Sequence, residues 1–168
     1  KFHNSSSLTN LDLKSSIEMI LYENTCASAL SSLSSITSID TPDEFTVVLN
    51  LKAPNAALPT ALTALGTSIM SKTWLDSGKD PSKEVNGTGA FKLANWETDK
   101  VIQLVKNKDF WLAGKPYLDG IEFRIIPDES SIVAALRAKQ VDFSVIGDPR
   151  IGLQISRDTE LQTWKSAT

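Results

Sequence analysis

The sequence predicts an α+β fold. Three observations carry that expectation. An amphipathic helical stretch lies near the start, two alternating β-rich runs each sit beside a turn and a second β-rich run, and a β-rich, helical, β-rich succession follows near the end. The helical stretch is Leu11 to Tyr22. Thr9 with Asp12 three residues on forms its start, the Asp standing in for the Glu of a capping box. Leu13, Ile17, Ile20 and Leu21 recur at spacings of three and four, with Lys14, Glu18 and Glu23 on the other side. Thr25 to Ser35 is rich in Ala, Ser and Leu and is open to a short second helix.

The first hairpin is expected over Ile36 to Ile39 and Phe45 to Leu51. Asp40-Thr41-Pro42-Asp43 forms its turn because proline presets φ there. Phe45, Val47, Leu49 and Leu51 alternate with Glu44, Thr46, Val48 and Asn50, the pattern of a half-buried strand. Ala56 to Leu65 reads as a short helix with Pro59 in its first turn and Gly66 as its stop. A brief strand over Ser68 to Ser71 and a helical turn or two over Lys72 to Ser77 follow. Gly78 to Gly89 is polar and glycine-rich, hence a surface loop. Ala90 to Trp96 and Val101 to Lys106 form the second hairpin around Glu97 to Lys100. Asn107 to Gly120 is a loop whose aromatics, Phe110, Trp111 and Tyr117, are expected to anchor packing. Ile121 to Ile126 reads as a strand, Asp128 as the cap of a helix bearing Ile132, Val133, Ala135 and Leu136, and Val141 to Ile146 as a second strand. A helix between two strands predicts a right-handed parallel crossover.

Composition narrows function by exclusion. The 168 residues are 41% hydrophobic and 22% charged, which is an ordinary globular balance. With 17 Lys and Arg against 20 Asp and Glu, the net charge of -3 argues against a basic nucleic-acid surface. Trp74, Trp96, Trp111 and Trp164 do not interleave with a basic stripe. The one cysteine, Cys26, has no disulfide partner and reads as a small buried hydrophobe. The one histidine, His3, leaves neither a zinc ligand set nor a Ser/His/Asp triad. Gly87-Thr88-Gly89 runs into a strand rather than a helix N-terminus, so it is a turn and not a phosphate loop. Asp128-Glu129 suits a helix cap and dipole better than an acid/base pair. No catalytic residue, metal ligand or cofactor is therefore expected. Lys1-Phe2-His3 opens without the features of a targeting signal, as a mature or excised segment would.

Five stretches, in order, resemble one family. Lys1-Phe2-His3-Asn4 with Leu8-Thr9-Asn10-Leu11-Asp12-Leu13 is similar to the pattern Lys-Phe-His-Asp-Gly…Leu-Thr-Ala-x-Asp-Val of extracellular solute-binding proteins of the peptide/nickel class, family five, which feed ABC importers. Phe45-Thr46-Val47-Val48-Leu49 with Pro54-Asn55, then Gly87-Thr88-Gly89-Ala90-Phe91-Lys92-Leu93, are the second and third. Asn107 to Trp111 with Gly114-Lys115-Pro116-Tyr117-Leu118-Asp119, and Ile125-Ile126-Pro127-Asp128 leading to Val141-Asp142, complete the set. The chain departs from the family pattern in Asn4-Ser5 for Asp-Gly, in Ala90-Phe91 for Pro-Tyr, and in Lys139 where Gly is usual.

The resemblance implies an internal piece of a two-lobed, periplasmic-binding-protein-like molecule. Residues 1–115 correspond to a small accessory α+β subdomain. Residues 116–168 correspond to part of the larger ligand-binding lobe. It further implies capture of a peptide, nickel complex or similar small solute, delivery to ABC permease subunits, no nucleic-acid partner, a monomer, and a periplasmic or cell-surface location, with a lipoprotein anchor compatible. The alternative is a hydrolase using carboxylates such as Asp128, Asp142 and Asp148. Loops at strand ends supply binding groups, and in open sheets the carboxyl ends of strands face the crevice. Gly147, Asp148 and Pro149 are therefore the expected edge of the solute cleft, with Asp148 facing a cationic group, and Asn86 and Thr88 are secondary candidates. The competing role for Asp148 is to cap the turn before Pro149.

Overall fold

The computed structural model describes residues 1–23, 30–31, 33–64, 66–80 and 83–164. In chain order the elements are α1 (Asn10–Glu23), β1 (Ile36–Asp43), β2 (Thr46–Leu51), α2 (Leu58–Ala61), α3 (Lys72–Asp76), β3 (Phe91–Glu97), β4 (Val101–Lys106), β5 (Gly120–Arg124), α4 (Glu129–Arg137) and α5 (Pro149–Ile155). This is the α+β class that the sequence predicts. Strands β1 and β2 form a two-stranded sheet, and a second sheet has the order β3-β4-β5. The chain divides into two compact units, residues 1–93 with 104–120 and residues 94–103 with 121–168.

In the first unit, α1 starts as its sequence dictates. The backbone N–H of Thr9 donates to Asp12 Oδ2 at 2.8 Å, and the Thr9 hydroxyl donates to the same oxygen at 3.1 Å. Asp12 is buried, and its other oxygen accepts the Lys72 N–H at 2.7 Å. One turn on, the buried Ser16 hydroxyl donates to the Asp12 carbonyl at 2.7 Å and accepts the Met70 N–H at 2.9 Å. Residues 69–72 are thereby bolted to α1, which leaves no strand at Ser68 to Ser71, where one was expected. The core lies between α1, β1 and α2: Ile17, Ile20, Leu33, Ile36, Ile39 and Leu58, with Val47, Leu49 and Leu51 packed against it. Burying each such side chain contributes about 1.5–3 kcal/mol.

The first hairpin differs from expectation at its turn. Strand β1 runs through Thr41-Pro42 to Asp43, Asp43 pairs with Thr46, and Glu44-Phe45 make the turn. The register slips between Asp40 and Asp43, and this irregularity accommodates Pro42. Phe45 therefore sits exposed at the tip instead of heading the buried face. The expected helix over Ala56 to Leu65 shortens to α2, and Leu65 lies outside the described residues. Leu30, Ser31 and Leu33 are helical, while Cys26 and residues 24–29 and 32 lie outside the described residues.

The second hairpin forms as expected, with Asp99 in the left-handed region at φ 59° between β3 and β4. At the start of β5 only glycine fits, because a Cβ on Gly120 would lie 2.8 Å from the Leu104 carbonyl oxygen. The loop between β4 and β5 contradicts one expectation. Pro116 is buried and Phe110 half-buried, but Trp111 and Tyr117 are 75% and 80% exposed and touch only Phe110 and Lys115 as ring contacts, so they bury little among the described residues.

In the second unit, Asp128 caps α4, its carboxylate accepting the Ser131 N–H at 2.7 Å and the Ser131 hydroxyl at 2.8 Å. The helix ends in a Schellman motif: the Lys139 N–H reaches the Leu136 carbonyl, and the Gln140 N–H reaches the Ala135 carbonyl. Lys139 occupies the left-handed position of that motif at φ 55°, the place where glycine is favoured. Lys139→Gly is expected to stabilise the chain by about 1 kcal/mol, read as a raised urea midpoint. No strand forms over Val141 to Ile146, so the expected parallel crossover is absent among the described residues. The segment is β-rich, but a strand exists only where a neighbour completes its hydrogen-bond ladder, and no described strand pairs with it.

Candidate functional site

The sequence-selected residues fall into two places, one in each unit. In the first, Asn86 is buried, and its Oδ1 accepts the Asn4 N–H at 3.1 Å. The His3 N–H donates to the Gly87 carbonyl at 2.8 Å, and His3 Nε2 donates to the Gly89 carbonyl at 3.0 Å. The His3 carbonyl accepts from Lys92 Nζ at 3.3 Å. Buried Asn107 closes the other side, its Nδ2 donating to the Gly89 carbonyl at 3.0 Å and its N–H to the Ala90 carbonyl at 2.8 Å. The Gly87-Thr88-Gly89 turn is thus held between residues 3–4 and the end of β4, with Thr88 half-buried in it. Upstream, Ser5 takes the left-handed φ of 73° that the family pattern gives to glycine. Sequence reasoning missed His3 and Asn107 as the holders of this loop. The asparagine immediately after a strand was the available signal, since its side chain can close a turn.

In the second place, Gly147, Asp148 and Pro149 form the corner that leads into α5. Asp148 is its N-cap, the carboxylate accepting the Arg150 N–H at 2.8 Å and pairing with Arg150 Nη2 at 2.9 Å. The capping role is therefore filled, and a cation from this chain already faces the carboxylate. The Arg150 side chain first, and then its N–H, hold the Asp148 carboxyl below the ordinary aspartate range. Glu129 completes the corner. Its Oε1 accepts the Gly147 N–H at 2.8 Å and its Oε2 the Asp148 N–H at 3.0 Å. Sequence reasoning placed Glu129 with Asp128 at a helix start and missed this reach across to the next helix. Gly147 follows a segment without regular secondary structure rather than the paired strand on which its choice leaned. Among the described residues no group of three His, Cys, Asp or Glu is arranged to hold a metal ion.

The caps make the second unit acid-sensitive. The Ser131 hydroxyl first, then the Ser131 N–H, lower the Asp128 carboxyl below its ordinary value. A carboxyl lowered on folding contributes stability that is full above the unfolded-state value and lost as pH falls through the folded one. Thermal stability is therefore expected to be flat near neutrality and to fall on the acid side. Asp128→Asn keeps a capping oxygen but has no such proton to gain, so it is expected to flatten that fall. Melting midpoints between about pH 6 and pH 3 measure it, and an unchanged slope contradicts the assignment.

Residues 1–167 match the family described as bacterial extracellular solute-binding proteins, family 5, middle part. The chain belongs to family 5. It is 28% identical over 152 residues to the oligopeptide-binding protein AppA of Bacillus subtilis, covering 85% of this chain and 27% of that one. It is 29% identical over 110 residues to the glutathione-binding protein GsiB of Salmonella paratyphi A, covering 65% of this chain and 22% of that one. Among solved family 5 structures, the binding protein AgaA in complex with agropinic acid from A. tumefaciens R10 matches with a TM-score of 0.80 at 37% identity, over 84% of this chain and 29% of that one. The B. subtilis AppA structure in complex with a nonapeptide matches with a TM-score of 0.73 at 26% identity, over 84% and 29%. The chain spans less than a third of the length of these relatives.

Proposed function

We propose that this chain is the middle part of the solute-capturing component of an ABC importer. The observation that carries this reading is the family 5 match along residues 1–167. Relatives named for binding oligopeptides and glutathione, and a solved neighbour holding agropinic acid, make a short peptide or an amino-acid conjugate the favoured solute class. In this reading residues 1–115 are the accessory subdomain and residues 116–168 enter the larger lobe, whose further strands would pair with Val141 to Ile146. The molecule works as a monomer outside the cytoplasmic membrane and hands its solute to permease subunits without altering it. The corner Gly147–Asp148–Pro149 edges the solute cleft, with Asn86 and Thr88 as lesser contributors. Support for the corner is its rigid mounting between α4 and α5, the arrangement from which loops bind.

The test uses the intact binding protein carrying this chain, with trialanine, glutathione and agropinic acid as solutes. A binding protein shows a raised melting midpoint with at least one of them, and mass spectrometry recovers that solute unchanged. Steady turnover of any of the three would favour the carboxylate hydrolase and overturn the proposal.

A further inference from the structure

We propose that Glu129 is a positioning residue for the solute cleft, acting through the Gly147–Pro149 corner; this rests on the reading that the corner edges that cleft. A glutamate in the first turn of a helix ordinarily serves its own helix, through the cap or the dipole. Glu129 does something else. Both of its oxygens are spent 18 and 19 residues away, on the consecutive N–H groups of Gly147 at 2.8 Å and Asp148 at 3.0 Å. Two charge-assisted bonds to adjacent amides fix the backbone at the corner, as one bond would not. The fit is close on the glycine side, where a Cβ on Gly147 would stand 3.2 Å from Glu129 Oε1. With its own N–H held by Glu129, Asp148 directs its carboxylate to the N–H and guanidinium of Arg150 at the start of α5. Glu129 thus sets where the Asp148 carboxylate and the Gly147 backbone stand, without itself being called on to touch the solute.

Glu129→Gln tests this at nearly constant volume. Its amide retains one acceptor for two donors and turns an N–H toward the second. In the 168-residue chain, amide hydrogen exchange at Gly147 and Asp148 is expected to quicken by about tenfold or more, with exchange across β1 and β2 unchanged. In the intact binding protein, the affinity for whichever of trialanine, glutathione and agropinic acid binds is expected to fall by about tenfold, while the melting midpoint moves little. Asp148→Ala serves as the control for the corner itself. Unchanged exchange at both amides overturns the role of Glu129. Faster exchange with unchanged affinity, where Asp148→Ala does weaken binding, leaves Glu129 a clamp of the fold only and also overturns it. If neither variant alters affinity, the corner is not part of the cleft, and the positioning role falls with that reading.

Discussion

Replacing Leu33 with alanine is expected to cost about 3–4 kcal/mol of stability in the first unit. Its side chain is 0% exposed and sits among Ile17, Ile20, Ile36, Ile39 and Leu58. Four of those five neighbours are β-branched and stiff at χ1. The five neighbours are held on helices and a paired strand, so they cannot fold inward to fill the space that the lost isopropyl group leaves. The loss therefore exceeds the floor of the range for a buried leucine, because cavity volume adds to the lost transfer energy. Leu153→Ala, at a position 56% exposed on α5, is the comparison and should stay within about 0.5 kcal/mol. Urea unfolding measures both, with the midpoint moving and the slope unchanged. A loss below about 1 kcal/mol for Leu33→Ala would place the core elsewhere.

Asp12→Ala is expected to cost about 3 kcal/mol for a different reason. The buried Asp12 carboxylate takes the N–H groups of Thr9 and Lys72, contacts of 2.8 and 2.7 Å that join the start of α1 to the start of α3. Alanine leaves two half-buried backbone donors without their acceptors, and each costs up to about 1–3 kcal/mol. The Thr9 hydroxyl can turn elsewhere and adds little. Asp12→Asn keeps one acceptor oxygen for two amides, so about half of the loss should return. The same urea titration reads the series. Equal stability of the Asp, Asn and Ala forms would show that the bolt between these helices carries no free energy.

Much of this fold was legible because its signals are local. The helix α1 shows its face at i, i+3 and i+4, and Thr9 and Asp12 mark its start. The alternation of Val47, Leu49 and Leu51 marks β2, and Asp128 before a short apolar face marks α4. What failed depended on partners that sequence does not name. Asp40 to Asp43 looked like a turn because Pro42 presets φ, yet an irregular register at the end of a two-stranded sheet tolerates the proline. Val141 to Ile146 has strand composition without a ladder partner among the described residues, and composition supplies no hydrogen bonds. Trp111 and Tyr117 keep most of their apolar area exposed among the described residues, with only Phe110 beside the one ring and Lys115 over the other.

The candidate site was legible as positions and not as contacts. The capping role that sequence allowed Asp148 before Pro149 is the one it fills, at the start of α5 and not at an isolated turn. That Glu129 would hold the two amides of the corner, or that His3 and Asn107 would hold the Gly87–Gly89 turn, depends on tertiary placement across 18 to 86 residues. Lys139 shows the converse. A lysine at a place where the family pattern has glycine was visible in the sequence, and the Schellman ending of α4 gives that observation its physical meaning.

The most direct test of solute capture between two lobes is calorimetry on two proteins side by side. The 168-residue chain and the intact binding protein carrying it are titrated with the same peptide, trialanine, and with agropinic acid. A cleft must exclude water and present opposing contacts, and this chain spans less than a third of the relatives that it matches. Micromolar or tighter binding of at least one solute is expected for the intact protein and only weak binding, of about millimolar strength, for the chain alone. Micromolar binding by the isolated chain, or no binding of either solute by the intact protein, would contradict that expectation.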